Sequence, residues 1–254
     1  TGPMLNADSI STVLDVYRPE REQLFKTLRD LDEAQWALPT ECPAYDVKGI
    51  ATHILGDDFS LLSRQRDAAE SGLMRVAGEM PGAPFMDVLN TFNDQWVASA
   101  AFLSPRVLLE LLHLTGDWTA DYYSSVDPAS DGEYVGFFGG EGPTSPFWQA
   151  IAREYLERWV HHSQIRRALG LSALSDTAFV EVGVAVVAAI AKVDTSPPGR
   201  DGAWSFGDVA LGDNNQTANI LTRGHSADEI RSLATGPAEA VNRLALVAGR
   251  PTSG

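Results

Sequence analysis

The sequence predicts a mainly α protein: an antiparallel helical bundle over residues 8–194, then a small α+β domain over residues 195–254. Three observations carry this. Apolar residues recur at helical spacing through most of the first part, the run TSPPGRDG at 195–202 has the composition of a linker, and the pattern beyond it shifts to short alternating stretches.

Taken in order, Ile10, Val13, Leu14 and Tyr17 form the first apolar stripe, and Leu24, Phe25, Leu28 and Leu31 continue it. Pro19 between them interrupts the helix or restarts it at its first turn. Pro39 and Pro43 mark a structured loop over 36–47. Asp46 is expected to cap a helix reaching about Ala69, with Val47, Ile50, Ile54, Leu61 and Leu62 on its buried side and His53 in its second turn. Gly72 to Pro84 reads as a connection. Helices follow from about Phe85 to Leu103 and from Pro105 to Val126, then a long Gly-, Pro- and Asp-rich loop over 127–145 that is a candidate lid.

Pro146 to Leu169 is expected to be helical, with Arg166 and Arg167 in the last turn, where cations suit the helix dipole, and Gly170 closing it. The run from Asp176 to Lys192 lacks a polar face, which predicts a helix buried between layers. Beyond the linker, Trp204, Phe206, Val209 and Leu211 read as a strand, Ala218 to Thr222 as a second short strand, and Ala227 to Arg250 as one or two helices.

Composition narrows the function. A chain of 254 residues with 44% hydrophobic content can build a real core, which makes a globular enzyme or binding protein the default. Acidic residues number 34 against 19 basic ones, a formal charge of -15, and this disfavours nucleic acid or an anionic membrane as partner. The single cysteine, Cys42, cannot form an internal disulfide, and no apolar run is long enough to span a bilayer. No secretory leader is recognised, the residues before Met4 look like a tag remnant, and a cytoplasmic location is expected.

Glu157 and His161 stand four residues apart in a helical segment, so their side chains stack on one face, and a carboxylate with a neutral imidazole can grip one divalent cation. The same spacing also suits a surface ion pair. Among the other histidines, His162 is rotated away from that face, His225 lies in an apparent turn, and His113 sits among leucines as a residue at the edge of the core. His53 is the better third ligand, near the bundle-facing stripe of its helix, with Asp57 one turn further on.

The run LRDLDEAQWALPTECPAYDVKGIATHILGDD, from Leu28 to Asp58, resembles the N-terminal signature of the mycothiol-dependent maleylpyruvate isomerase family within the DinB-like superfamily. The run AREYLERWVHHSQIRRALG, from Ala152 to Gly170, resembles the family's second signature, and Ala234 to Arg250 looks like the closing helix of its smaller domain. The resemblance implies a DinB-like bundle, with His53, Glu157 and His161 as metal ligands. Two positions depart from the pattern: Ala44-Tyr45 stand where a Gly-Trp is usual, and Gln164 where an Asp is frequent. Both bear on specificity.

Two imidazoles and one carboxylate leave an open coordination position, as in catalytic zinc sites, and a divalent metal there lowers the pKa of a bound water or thiol. Cys42, beside Pro43 in a rigid loop, is a poor source of that thiol. The resemblance implies an external one, mycothiol or a similar low-molecular-weight thiol, activated as a metal-bound thiolate and directed at a small electrophile in S-transfer or isomerisation. Arg223 or Arg250 could supply a cation for an anionic group on thiol or substrate. The alternatives are a metal-dependent hydrolase and a non-catalytic metal or small-molecule binding protein. All three readings, thiol-dependent enzyme, hydrolase and binding protein, put the metal on His53, Glu157 and His161.

Overall fold

The computed structural model describes residues 3–251 and divides the chain into two compact units, one of residues 21–126 and one joining residues 1–20 to residues 127–254. The fold is mainly α, with small antiparallel sheets. None of the described helices is long and apolar enough to cross a membrane.

Helix α1 (Ser11–Leu14) is a short piece, and α2 (Tyr17–Leu28) begins two residues after its cap. Pro19 falls in the first turn of α2, where a missing backbone N–H has no intrahelical partner to lose. The proline therefore restarts the helix.

The continuous unit is built around one long helix. After α3 (Glu33–Trp36), which a reciprocal capping box of Asp32 and Gln35 starts, the loop over 37–46 leads into α4 (Val47–Leu61). The Asp46 carboxylate accepts the Gly49 N–H at 2.7 Å, the cap the sequence implies, and Val47, Ile50, Ile54 and Leu61 are buried. Helix α4 runs on into a π-helical turn, Leu62–Arg66. Residues 72–79, expected to be a connection, form helix α5 (Gly72–Glu79), because Pro81 and Pro84 lie beyond its end and the Ser71 hydroxyl caps Met74 N–H at 3.3 Å. Helices α6 (Phe85–Ser99) and α7 (Pro105–Ser125) then pack on α4. A buried network locks α7 to α4: Arg21 pairs with Asp58 at 2.7 Å and donates to the Leu112 carbonyl at 2.6 Å, while Thr115 donates to Asp58 at 2.6 Å. Both charges are therefore paired and hydrogen-bonded, the condition under which buried ions are tolerated.

In the other unit the loop over 127–145 carries a small hairpin, β1 (Asp131–Glu133) antiparallel to β2 (Thr144–Pro146). Helix α8 (Phe147–Ala168) follows and packs on α9 (Thr177–Ala191). Their contact needs a glycine: a Cβ at Gly183 would sit 2.1 Å from the Trp159 ring. A three-stranded antiparallel sheet of β3 (Thr195–Ser196), β4 (Trp204–Phe206) and β5 (Val209–Gly212) comes next. Residues 218–221, expected to be a strand, belong instead to helix α10 (Asn214–Leu221). Asp213 caps its N-terminus by accepting the Gln216 N–H at 2.9 Å, and Thr217, Ala218, Ile220 and Leu221 are buried at helical spacing. Helices α11 (Ala227–Leu233) and α12 (Ala238–Ala248) close the chain.

Candidate metal centre

Helix α8 presents Glu157 and His161 because its other faces are committed. Tyr155 donates its hydroxyl to the Phe179 carbonyl at 2.7 Å, and Trp159, fully buried, donates its indole N–H to the Leu174 carbonyl at 2.8 Å. His162 is turned away from His161 and meets Glu20 of α2 at 3.0 Å, with both side chains buried. Tyr17 ties the same region down through a hydrogen bond to the Ile151 carbonyl at 2.5 Å. With those contacts made, rotation or sliding of α8 would break several buried hydrogen bonds at once.

On the remaining face, His161 Nε2 lies 3.3 Å from Glu157 Oε2. Its other ring nitrogen, Nδ1, lies 2.9 Å from the Gln164 side-chain oxygen. A carbonyl oxygen only accepts, so the Nδ1 proton is donated to Gln164, and in the neutral ring Nε2 then carries a lone pair. In that form the lone pair faces a carboxylate oxygen, whereas the doubly protonated ring donates to it. Two acceptors in a buried place repel each other unless a second ring proton or a cation stands between them.

Burial would raise the Glu157 pKa, but the hydrogen bond and charge of His161, together with the charges of Arg223 and Arg153, outweigh it and hold this carboxyl well below the usual carboxylate range. Glu157 is thus an anion at neutral pH.

His53 occupies a matching arrangement on α4. It is 8% exposed, and its Nε2 lies 3.5 Å from Asp57 Oδ2, one turn along the helix. The Tyr45 ring stacks on it with centroids 6.0 Å apart and planes inclined by 22°. Tyr45 in turn donates its hydroxyl to Asp94 at 2.6 Å. Burial, and after it the hydrogen bond to Asp94, pushes the Tyr45 phenol well above its ordinary pKa. The stacked ring is therefore neutral.

Glu157 and His161 thus come together within one unit, while His53 lies in the other and is paired with Asp57. Arg223 adopts a left-handed backbone conformation (φ 62°), uncommon for a residue with a side chain, and its charge acts on Glu157. Arg250 lies 3.5 Å from Glu229 and donates its backbone N–H to the His225 carbonyl at 2.8 Å. His225 is 3.2 Å from Glu229, and His113 is exposed, with its ring beside Phe25. Cys42 is half-buried in the proline-containing loop, where the Thr40 hydroxyl lies 3.1 Å from both its amide nitrogen and its carbonyl oxygen.

Sequence reasoning did not foresee the roles of Gln164 and Tyr45. Both positions are departures from the family pattern, and both turn out to contact a candidate ligand imidazole. Their spacing was the available signal: Gln164 is one turn beyond His161, and Tyr45 immediately precedes the cap of the helix bearing His53.

Residues 17–166 match the family model described as the mycothiol maleylpyruvate isomerase N-terminal domain. The chain belongs to this family. Membership in the mycothiol maleylpyruvate isomerase family places the protein among thiol-dependent enzymes. Two solved structures are similar, both of a mycothiol-dependent maleylpyruvate isomerase, one the unsubstituted enzyme and one a point variant. Each is 14% identical, the match covers 72% of this chain and 72% of that one, and the TM-scores are 0.47 and 0.48. No curated protein matches. The matched segment of the family model contains His53, Glu157 and His161 alike.

Proposed function

We propose that the protein is a divalent-metal-dependent enzyme, with zinc the metal best suited to its ligands, that uses mycothiol or a similar low-molecular-weight thiol to attack a small electrophile by S-transfer or isomerisation. His53, Glu157 and His161 are the proposed metal ligands. The observation that carries this reading is the approach of His161 Nε2 to the Glu157 carboxylate at 3.3 Å, with Gln164 at the opposite ring nitrogen. A borderline-soft cation takes one nitrogen and one oxygen of this kind as ligands, and family membership supplies the reason to look for one.

When bound, such a cation lowers the pKa of a coordinated thiol and leaves it a nucleophile at neutral pH. The residues of the chain do the rest. Gln164 fixes the His161 ring, and Asp57 and Tyr45 orient the His53 ring, so that both imidazoles are held in a defined orientation. Arg223, with Arg250 as second choice, is our assignment for the cation that meets an anionic group of thiol or substrate, since Arg223 already acts on Glu157. In transfer, the thiol loses its proton, a sulfur–carbon bond forms, and a leaving group departs with its electron pair. In isomerisation the same bond forms and breaks again after rotation about the adjacent carbon–carbon bond, and the thiol is regenerated. Such chemistry belongs in the cytoplasm, where low-molecular-weight thiols are kept reduced.

Metal analysis tests the ligand set directly. Purified protein should carry about one zinc per chain, and His53→Ala and His161→Ala should each lower the content and weaken retention by at least about tenfold. Near-stoichiometric metal in both variants would sink the proposal. Consumption of 1-chloro-2,4-dinitrobenzene that depends on added mycothiol supports the thiol reaction; metal-dependent ester hydrolysis without thiol would favour a hydrolase, and no turnover with any bacterial thiol a binding protein.

A further inference from the structure

The continuous unit contains a cavity of about 260 Å³ with His53 in its wall. Three aromatic rings line it as well, Phe59, Phe92 and Trp96, with Phe59 and Trp96 meeting edge to face at 5.6 Å. Trp96 is fixed by its indole N–H, which donates to the Thr52 carbonyl at 2.7 Å, one residue before His53. Two glycines make room for these rings. A Cβ at Gly56 would lie 2.4 Å from Trp96, and one at Gly72 would lie 2.7 Å from Phe92, so both rings are seated against bare backbone.

The polar lining includes Asn93 beside Phe92, and Ser60, Ser63 and Arg64, the last two on the π-helical turn that follows α4. An α-helix continued without that turn would rotate every later side chain, so the π-helical segment decides what faces the cavity; such segments recur at functional sites. Arg64 is anchored by its hydrogen bond to the Ser60 hydroxyl. Glu70, also in the wall, is held by Arg75 at 2.7 Å.

We propose that this cavity holds the electrophilic substrate, and that the substrate is a flat, largely apolar molecule of one or two fused rings with a hydrogen-bond-accepting substituent. This inference rests on the reading that His53 is a metal ligand, because only then does the cavity open beside the nucleophile. Size and chemistry both point this way. An apolar cavity of about 150 Å³ accommodates benzene, so a space of this volume suits a body of roughly ten non-hydrogen atoms. Three aromatic walls select a flat apolar body by stacking and area burial, whereas a small dicarboxylate would leave most of them unfilled. Phe59, Phe92 and Trp96 are the specificity-determining residues, and Arg64, Ser60 and Ser63 receive the polar end.

The test uses unreactive probes and metal-stripped full-length protein, so that it reads the cavity apart from the metal. 2-Naphthoate should quench the Trp96 contribution to fluorescence and bind calorimetrically, while fumarate should neither bind there nor displace it. Trp96→Phe should keep calorimetric binding and lose most of the quenching, which locates the probe. Ser63→Trp, at an exposed position on the rim, should fill the opening and weaken 2-naphthoate at least about tenfold with an unchanged melting temperature and circular dichroism spectrum. Fumarate displacing 2-naphthoate, or Ser63→Trp binding 2-naphthoate as wild type does, would overturn the proposal. Loss of metal from the His53 variant bears on the ligand set alone, so the two readings fail separately.

Discussion

Gln164 sits one turn from His161 and accepts a hydrogen bond from the ring nitrogen that a metal does not need. Replacing it by leucine removes that acceptor while keeping the size. Competition against a chromophoric chelator should then show zinc affinity lowered about 10–100-fold, the range for partners of ligand histidines, and unchanged affinity would remove Gln164 from the centre. Tyr45 makes a different prediction, one of stability against pH. Its phenol pKa is raised in the fold, burial first and Asp94 second, so the neutral hydroxyl contributes stability that is present below the unfolded phenol pKa of about 10 and is lost as pH rises toward the folded value. Tyr45→Phe should cost about 1 kcal/mol at neutral pH and show a shallower loss of stability than wild type above about pH 10 in denaturant titrations. Identical alkaline profiles would mean that the hydroxyl contributes nothing.

At the scale of elements, α8 carries the candidate ligands and α9 holds α8 in register. Gly183 is where they meet most closely, with no room for a methyl group beside Trp159. Gly183→Ala should destabilise the protein by about 1–3 kcal/mol through overpacking, measured by urea unfolding with an unchanged m value. A stabilised variant would show that the helix propensity gained by alanine outweighs the clash. The boundary near residue 195 is a proposal about organisation, supported by the left-handed backbone of Lys192 that ends α9 and by the exposed Pro197, Gly199 and Gly202 after it. Limited proteolysis should cut first within residues 197–203, and first cuts inside α9 or β5 would refute that boundary. Elements with a cap and a periodic apolar face were legible in the sequence, as Asp46 with α4 shows. Helices α5 and α10 were not: one begins at a glycine, and the other spans only eight residues, too few for periodicity to separate a short buried helix from a strand.

For the molecule as a whole, metal binding and folding should be linked. A cation that binds the native centre and not the unfolded chain stabilises by about 2.7 kcal/mol at one hundred times its Kd, which for a chain of this size is a rise in Tm of roughly 5–10 °C. Scanning calorimetry with and without zinc should show that rise in wild type and its loss in His161→Ala. A Tm indifferent to zinc in wild type would count against the centre.

The sequence by itself determined the mainly α class, the two signatures that give the family, and the pairing of Glu157 with His161 across one helical turn, because caps and periodicity are local and need no partner from elsewhere in the chain. Tertiary structure alone decided what each ring nitrogen of His161 faces, what stacks on His53, and that a cavity with three aromatic residues in its lining has His53 in its wall. Those features depend on side-chain directions and on residues such as Thr52 and Trp96, far apart in the sequence, and the distance between such residues is set by packing and not by spacing.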